Sequence, residues 1–110
     1  MIQIDDSGSG SLIGGTCIGA IRVETGDYAY DFIPTQYYQN DLFYTKKYLI
    51  KSAEIVMSLL ERLDWKSNEE IQICQGYMFD QARKILDTKQ INYYSTKINE
   101  PLQSRVEKTF

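Results

Sequence analysis

One hundred and ten residues fit a single ordinary domain, residues 1–110. The balance of 43% apolar to 25% charged residues argues against a disordered chain. The chain has no histidine, which removes the Ser-His-Asp triad, the Cys-His pair, the HExxH zinc site and a histidine general base at once.

Fifteen acids against twelve bases leave a net charge of −3, a poor start for non-specific nucleic-acid affinity. Cys17 and Cys74 sit inside apolar runs, the placement expected of reduced core thiols in a cytoplasmic protein. Two cysteines cannot make a Cys-only zinc site. The sequence has no apolar run of ~18 residues and no charged start before an apolar stretch, so neither a membrane span nor a signal peptide is expected. Catalysis is left to carboxylates, hydroxyls, lysines, or a hard metal on oxygen ligands.

The first strand opens at Met1-Ile2-Gln3-Ile4 and is expected to stop at Asp5-Asp6. A small, flexible stretch follows from Ser7 to Gly15. The β-branched run from Thr16 to Val23 predicts a second strand, in which Gly19 marks a close backbone approach. Thr25-Gly26-Asp27 reads as a tight turn. Beyond it Tyr28, Tyr30 and Phe32 alternate with Ala29, Asp31 and Ile33 up to Pro34. Two strands joined by so short a turn form an antiparallel hairpin.

The period then changes. Leu49, Ala53, Val56, Leu60 and Leu63 are spaced by four, three, four and three, with Leu42 one heptad earlier. That is one face of a helix from about Asp41 to Leu63, capped by Asn40. Ile71 to Cys74 is a short strand closed by Gln75-Gly76. Phe79 to Leu86 reads as a helix with Phe79, Ala82, Ile85 and Leu86 inward. Ile91 to Ser95 is a fifth strand, and Asn99-Glu100-Pro101 starts a last helix. Trp65 packs over the end of the sheet.

The order is βββαβαβα. The first three strands make a meander, and the later two arrive by helical crossovers that set them parallel to the first. The economical arrangement is a mixed five-stranded α/β sheet of order 3-2-1-4-5. Ligands in such sheets sit beyond the carboxyl ends of the strands flanking the reversal of chain direction. Those ends carry Asp5-Asp6 and Gln75-Gly76, so Asp5 is expected near Gln75.

This order resembles the ribonuclease H-like fold over essentially all of the chain. The stretch Ile4-Asp5-Asp6-Ser7-Gly8-Ser9-Gly10-Ser11-Leu12-Ile13-Gly14 is similar to the type 2 ribonuclease H opening, Asp-Glu-Ala-Gly-Arg-Gly-Pro-Leu-x-Gly. The resemblance implies that Asp5 and Asp6 stand for the first two metal-binding carboxylates. It further implies cleavage of a phosphodiester by two divalent ions, Mg²⁺ or Mn²⁺. Ser9 replaces the phosphate-reading arginine, and Gln75 stands where the family has an aspartate before glycine. Glutamine offers a carbonyl oxygen but no charge, so a metal pair there is under-neutralised.

Each candidate has a structural alternative. Asp5 and Asp6 hold metal, or they end a strand with an Asx-type turn. Gly8, Ser9 and Gly10 cradle a phosphate through backbone N–H groups, or they simply connect two strands. Asp80 leans back toward the missing charge, or it favours its helix dipole. Glu100 and Glu107, on one face of the last helix with Gln103, supply a further carboxylate, or they are solvated. Lys46, Lys47 and Lys51 meet a nucleic-acid backbone, or they belong to a mixed-charge face with Glu54 and Glu61. The nine tyrosines stack bases, or they fill the core margin or an interface, which admits a homodimer. The leading expectation is a metal-dependent nuclease acting on structured nucleic acid, and the rival is a catalytically degenerate domain used for binding or assembly.

Overall fold

The computed structural model describes residues 1–7, 16–38 and 46–98, together with 102 and 105. The elements are β1 (Ile2–Ser7), β2 (Thr16–Arg22), β3 (Tyr28–Ile33), a 3-10 turn (Thr35–Tyr38), α1 (Lys47–Arg62), β4 (Ile71–Cys74), a second 3-10 turn (Tyr77–Phe79), α2 (Asp80–Thr88) and β5 (Tyr94–Thr96). The five strands form one sheet in the order β3-β2-β1-β4-β5. Strand β1 is antiparallel to β2 and parallel to β4, and β5 is parallel to β4. The expected α/β class, strand order and strand directions are therefore present. No helix among the described residues is long and apolar enough to cross a membrane.

Period-two alternation in the strands and helical spacing in α1 meet on one face of the sheet. Ile2 and Ile4 of β1, Ile18 and Ala20 of β2, and Ile71 and Ile73 of β4 pack with Leu49, Ala53, Val56, Leu60, Leu63, Phe79, Ala82 and Leu86 in one core. The five positions read as one helix face, four in α1 and Leu63 at its C-cap, are all buried, and Tyr48, Ser52, Ile55 and Leu59 widen that face. The opposite face carries a smaller core of Cys17, Ile21, Ile98 and Leu102. Leu102 and Arg105 are helical, and the Arg105 guanidinium lies 4.6 Å from the centre of the Tyr28 ring.

Several boundaries differ from the sequence reading; β2 ends at Arg22, one residue early, and α2 runs from Asp80 to Thr88. Strand β1 runs on through Asp5, Asp6 and Ser7, because these residues still pair with Gly19, Ile18 and Cys17 of β2. Helix α1 is described from Lys47, where Lys46 is left-handed at φ 57° and its carbonyl accepts the Leu49 N–H at 3.0 Å; residues 41–45 of the expected helix lie outside the described residues. The proposed cap Asn40 and the apolar Leu42 lie outside the described residues. Strand β5 starts at Tyr94, because the Ile91 N–H is taken by Leu86 O at 2.9 Å in the close of α2.

The β2–β3 turn is the tight one expected. Gly26 adopts φ 79°, and its N–H reaches Arg22 O at 2.8 Å. Strand β3 then forms an edge whose backbone is met by side chains. The Tyr30 carbonyl accepts from Arg62 Nη1 at 3.0 Å, and the Phe32 N–H donates to Asp31 Oδ1 at 2.8 Å. Arg62 Nη2 and Asp31 Oδ2 join the two halves at 3.0 Å.

Candidate functional site

The reversal of chain direction falls between β1 and β4, where a ligand site is expected on topological grounds. Register decides what meets there. Ile4 stands beside Ile73, so one residue further the chain sets Cys74 beside Asp5. Potential ligand atoms of Asp5, Asp6 and Cys74 lie within 4.8 Å of one another, and all three residues are half-buried. Adjacent strand residues ordinarily point to opposite faces. Here the Asp5 carboxylate leans forward onto the next peptide, and its Oδ1 accepts the Asp6 N–H at 2.8 Å.

Cys74 is a neutral thiol in this setting. Burial pushes its pKa up to about 11; the Gly76 N–H on its sulfur works the other way, and the neighbouring Asp5 and Asp6 raise it again. The Gly76 N–H to Cys74 Sγ distance is 3.4 Å. A thiol in this state donates toward Asp5 and adds no negative charge. Magnesium takes oxygen ligands and is commonly held by one or two carboxylates plus water, so Asp5 and Asp6 fit a single such ion. A thiolate ligand would suit a softer metal, which must first displace the proton.

Gln75 does not share this pocket of side chains. It is exposed, and its N–H donates to Thr96 O at 3.1 Å, continuing the β4–β5 ladder. Arg83 braces the strand end from α2, with Nη1 on Cys74 O at 2.7 Å and Nη2 on Gly76 O at 3.0 Å. Asp80, in the first turn of α2, hydrogen-bonds Arg83. Its carboxylate thereby offsets a guanidinium that would otherwise repel a bound cation. Lys51 pairs with Glu54 at 3.7 Å, as on a mixed-charge helix face. Gly8, Ser9, Gly10, Glu100 and Glu107 lie outside the described residues.

Across the sheet, the row through Asp5 runs to Gly19 of β2 and then to Tyr30 of β3. Glycine leaves the middle of that row without a side chain. On its far side Tyr28, Tyr30 and Phe32 form a strip, with ring centres 5.6 and 5.8 Å apart. Tyr30 and Phe32 are 45% and 40% exposed, enough to present ring faces to a ligand. Gly19 is itself buried, as are Cys17 and Ile21 on the same strand face, so the acidic cluster and the aromatic edge lie on either side of a covered row.

The chain matches no protein-family model, no curated protein and no solved structure.

Sequence reasoning placed Asp5 and Asp6 at the site and missed Cys74 and Arg83. Cys74 was read as a core thiol from its apolar neighbours. The signal that finds it is register: with β1 and β4 parallel, the last residue of β4 is the one beside Asp5. Arg83 carries no such signal, because only the three-dimensional return of α2 brings it to the β4 carbonyls.

Proposed function

We propose that the chain is a catalytically degenerate ribonuclease H-like domain that binds through one divalent ion, Mn²⁺ or Mg²⁺, on Asp5 and Asp6. The observation that carries this reading is the cluster itself: Asp5 and Asp6 bring two carboxylates within 4.8 Å of each other, and the third residue there is a cysteine in place of a further acid. Two ions a few ångströms apart repel strongly, and two-metal phosphodiester cleavage relies on carboxylates between them to offset that repulsion. Two carboxylates and a protonated thiol suffice for one ion.

The same ion supplies what a chain of net charge −3 lacks, a positive centre for a phosphate. The partner in this reading is nucleic acid, with a phosphate on the ion and bases against Tyr30 and Phe32. Base–aromatic stacking contributes about 1–3 kcal/mol per base, which is the role assigned to the exposed strip.

The test is a thermal-shift titration of the wild type and Asp5→Asn with Mg²⁺ and Mn²⁺, paired with a cleavage assay on an RNA–DNA hybrid. One saturable stabilisation lost in Asp5→Asn, without cleavage, supports the reading. Metal-dependent cleavage by the wild type that Asp5→Asn abolishes would replace it with the active nuclease. A melting curve blind to millimolar metal would remove the ion from the account.

A further inference from the structure

A cavity lies far from Asp5, at the opposite end of the sheet where β4 and β5 begin. It has a volume of about 650 Å³ and is walled by two loops, 65–70 before β4 and 89–94 at the start of β5. Trp65 and Tyr94 supply its aromatic surface; Asn68, Gln90 and Asn92 supply three neutral amides. Glu70 and Lys89 add one charge of each sign.

One wall is fixed in place. The Arg22 guanidinium grips the Glu69 carboxylate twice, Nε to Oε2 at 2.8 Å and Nη2 to Oε1 at 2.8 Å. It also donates to Leu63 O at 2.7 Å, at the end of α1. The Glu69 carbonyl in turn accepts the Trp65 indole N–H at 3.0 Å, which sets the orientation of the ring. Glu69 Oε1 further accepts the Lys66 N–H at 3.1 Å. A connector of this length needs none of these bonds to join a helix to a strand. Their combined effect is a pre-positioned indole beside a row of amides.

The opposite wall carries a conformational cost. Gln90 has φ 58° at the end of α2, where glycine is the least strained residue. A glutamine there retains an amide on the cavity rim.

The lining selects by chemistry. Glu69 is engaged by Arg22, so the remaining charges are balanced and no cluster of cations offers itself to a phosphate. Amides both donate and accept, as do the hydroxyls of a sugar, and aromatic faces meet the apolar faces of a pyranose ring. We propose that this cavity is a binding site for a neutral saccharide, with Trp65 or Tyr94 under the ring and Asn68, Gln90 and Asn92 on its hydroxyls. The site is separate from Asp5 and does not depend on the metal reading.

Trp65 is the chain's single tryptophan, so its emission reports on the surroundings of one ring, which also borders a second depression lined by Met57, Leu60, Glu61 and Lys89; the amide variants assign a response to this cavity. The probes are glucose, N-acetylglucosamine, maltose and cellobiose at millimolar concentration, with adenosine as the competing class. A saturable change in Trp65 emission with at least one sugar is expected. Asn92→Ala and Gln90→Ala should each weaken it roughly tenfold. Both side chains are exposed, so the variants keep the fold, which an unchanged melting temperature without ligand verifies. Asp5→Asn should leave the sugar response intact. No saturable response to any sugar, a response unaltered in both amide variants, or adenosine binding in place of the sugars would each overturn the proposal.

Discussion

Replacing Cys74 by aspartate tests the reading of the acidic cluster most directly. The new carboxylate would stand where ligand atoms now lie within 4.8 Å of those of Asp5 and Asp6. At that distance two unit charges repel by roughly 1 kcal/mol in water and roughly 3 kcal/mol at an effective dielectric constant near 20. For a half-buried position with two acidic neighbours, the metal-free variant should lose about 3 kcal/mol at neutral pH, a fall in Tm on the order of 10 °C. Like charges raise the pKa of the new acid above its unfolded value. The deficit is therefore full at neutral pH and disappears as pH falls below the ordinary carboxylate range. Mn²⁺ should reverse it, because an ion bound only by the folded state at a hundredfold excess over Kd contributes about 2.7 kcal/mol. Differential scanning fluorimetry at several pH values, with and without Mn²⁺, measures both effects, and Cys74→Ser controls for loss of the sulfur. A Cys74→Asp protein that melts with the wild type in the absence of metal would refute the reasoning, because three ionised groups so close cannot be neutral in energy.

Three further outcomes are expected. The Arg22 guanidinium holds the Glu69 pKa down to about 2, so the stability this pair contributes is present above pH ~4.5 and is lost as pH falls toward 2. Glu69→Gln should therefore flatten the acid limb of a urea-denaturation series and cost about 2 kcal/mol at pH 7. Burial, reinforced by Asp31, pushes the Cys17 thiol up to about 11. Stability should accordingly decline as pH rises from about 9 to 11, less so in Cys17→Ala, and thiol reagents should label Cys17 slowly at pH 8 unless the protein is unfolded. Asp64 ends α1 with φ 56°, so Asp64→Gly should raise stability by about 1 kcal/mol in chemical denaturation.

What the sequence made legible was governed by local rules. Leu49, Ala53, Val56, Leu60 and Leu63 identify a helix face because burial and helical period coincide there. Thr25-Gly26-Asp27 identifies a hairpin because only a tight turn satisfies that spacing, and the crossovers then order the sheet. What was not legible depended on partners distant in the chain. Two aspartates look like a strand end until Gly19 and Ile18 of β2 are seen to continue the ladder past them. The residue beside Asp5 is settled by β1–β4 register, and a one-residue difference there exchanges a glutamine for a thiol. The cavity of Trp65 and Tyr94 joins two loops that no motif connects.

The covered edge of β3 has a consequence for how copies of this chain meet. Sheet continuation through that edge would require the Tyr30 carbonyl and the Phe32 N–H, both already held by Arg62 and Asp31. The two side chains are 48% and 47% exposed, so their ion pair lies within reach of dissolved ions. Screening over a Debye length of about 8 Å at physiological ionic strength weakens such a pair, while the backbone groups beneath it are indifferent to salt. Ionic strength thereby acts on this edge as a control variable: dilute buffer favours the closed strand, and concentrated salt weakens the ion pair that braces the closure.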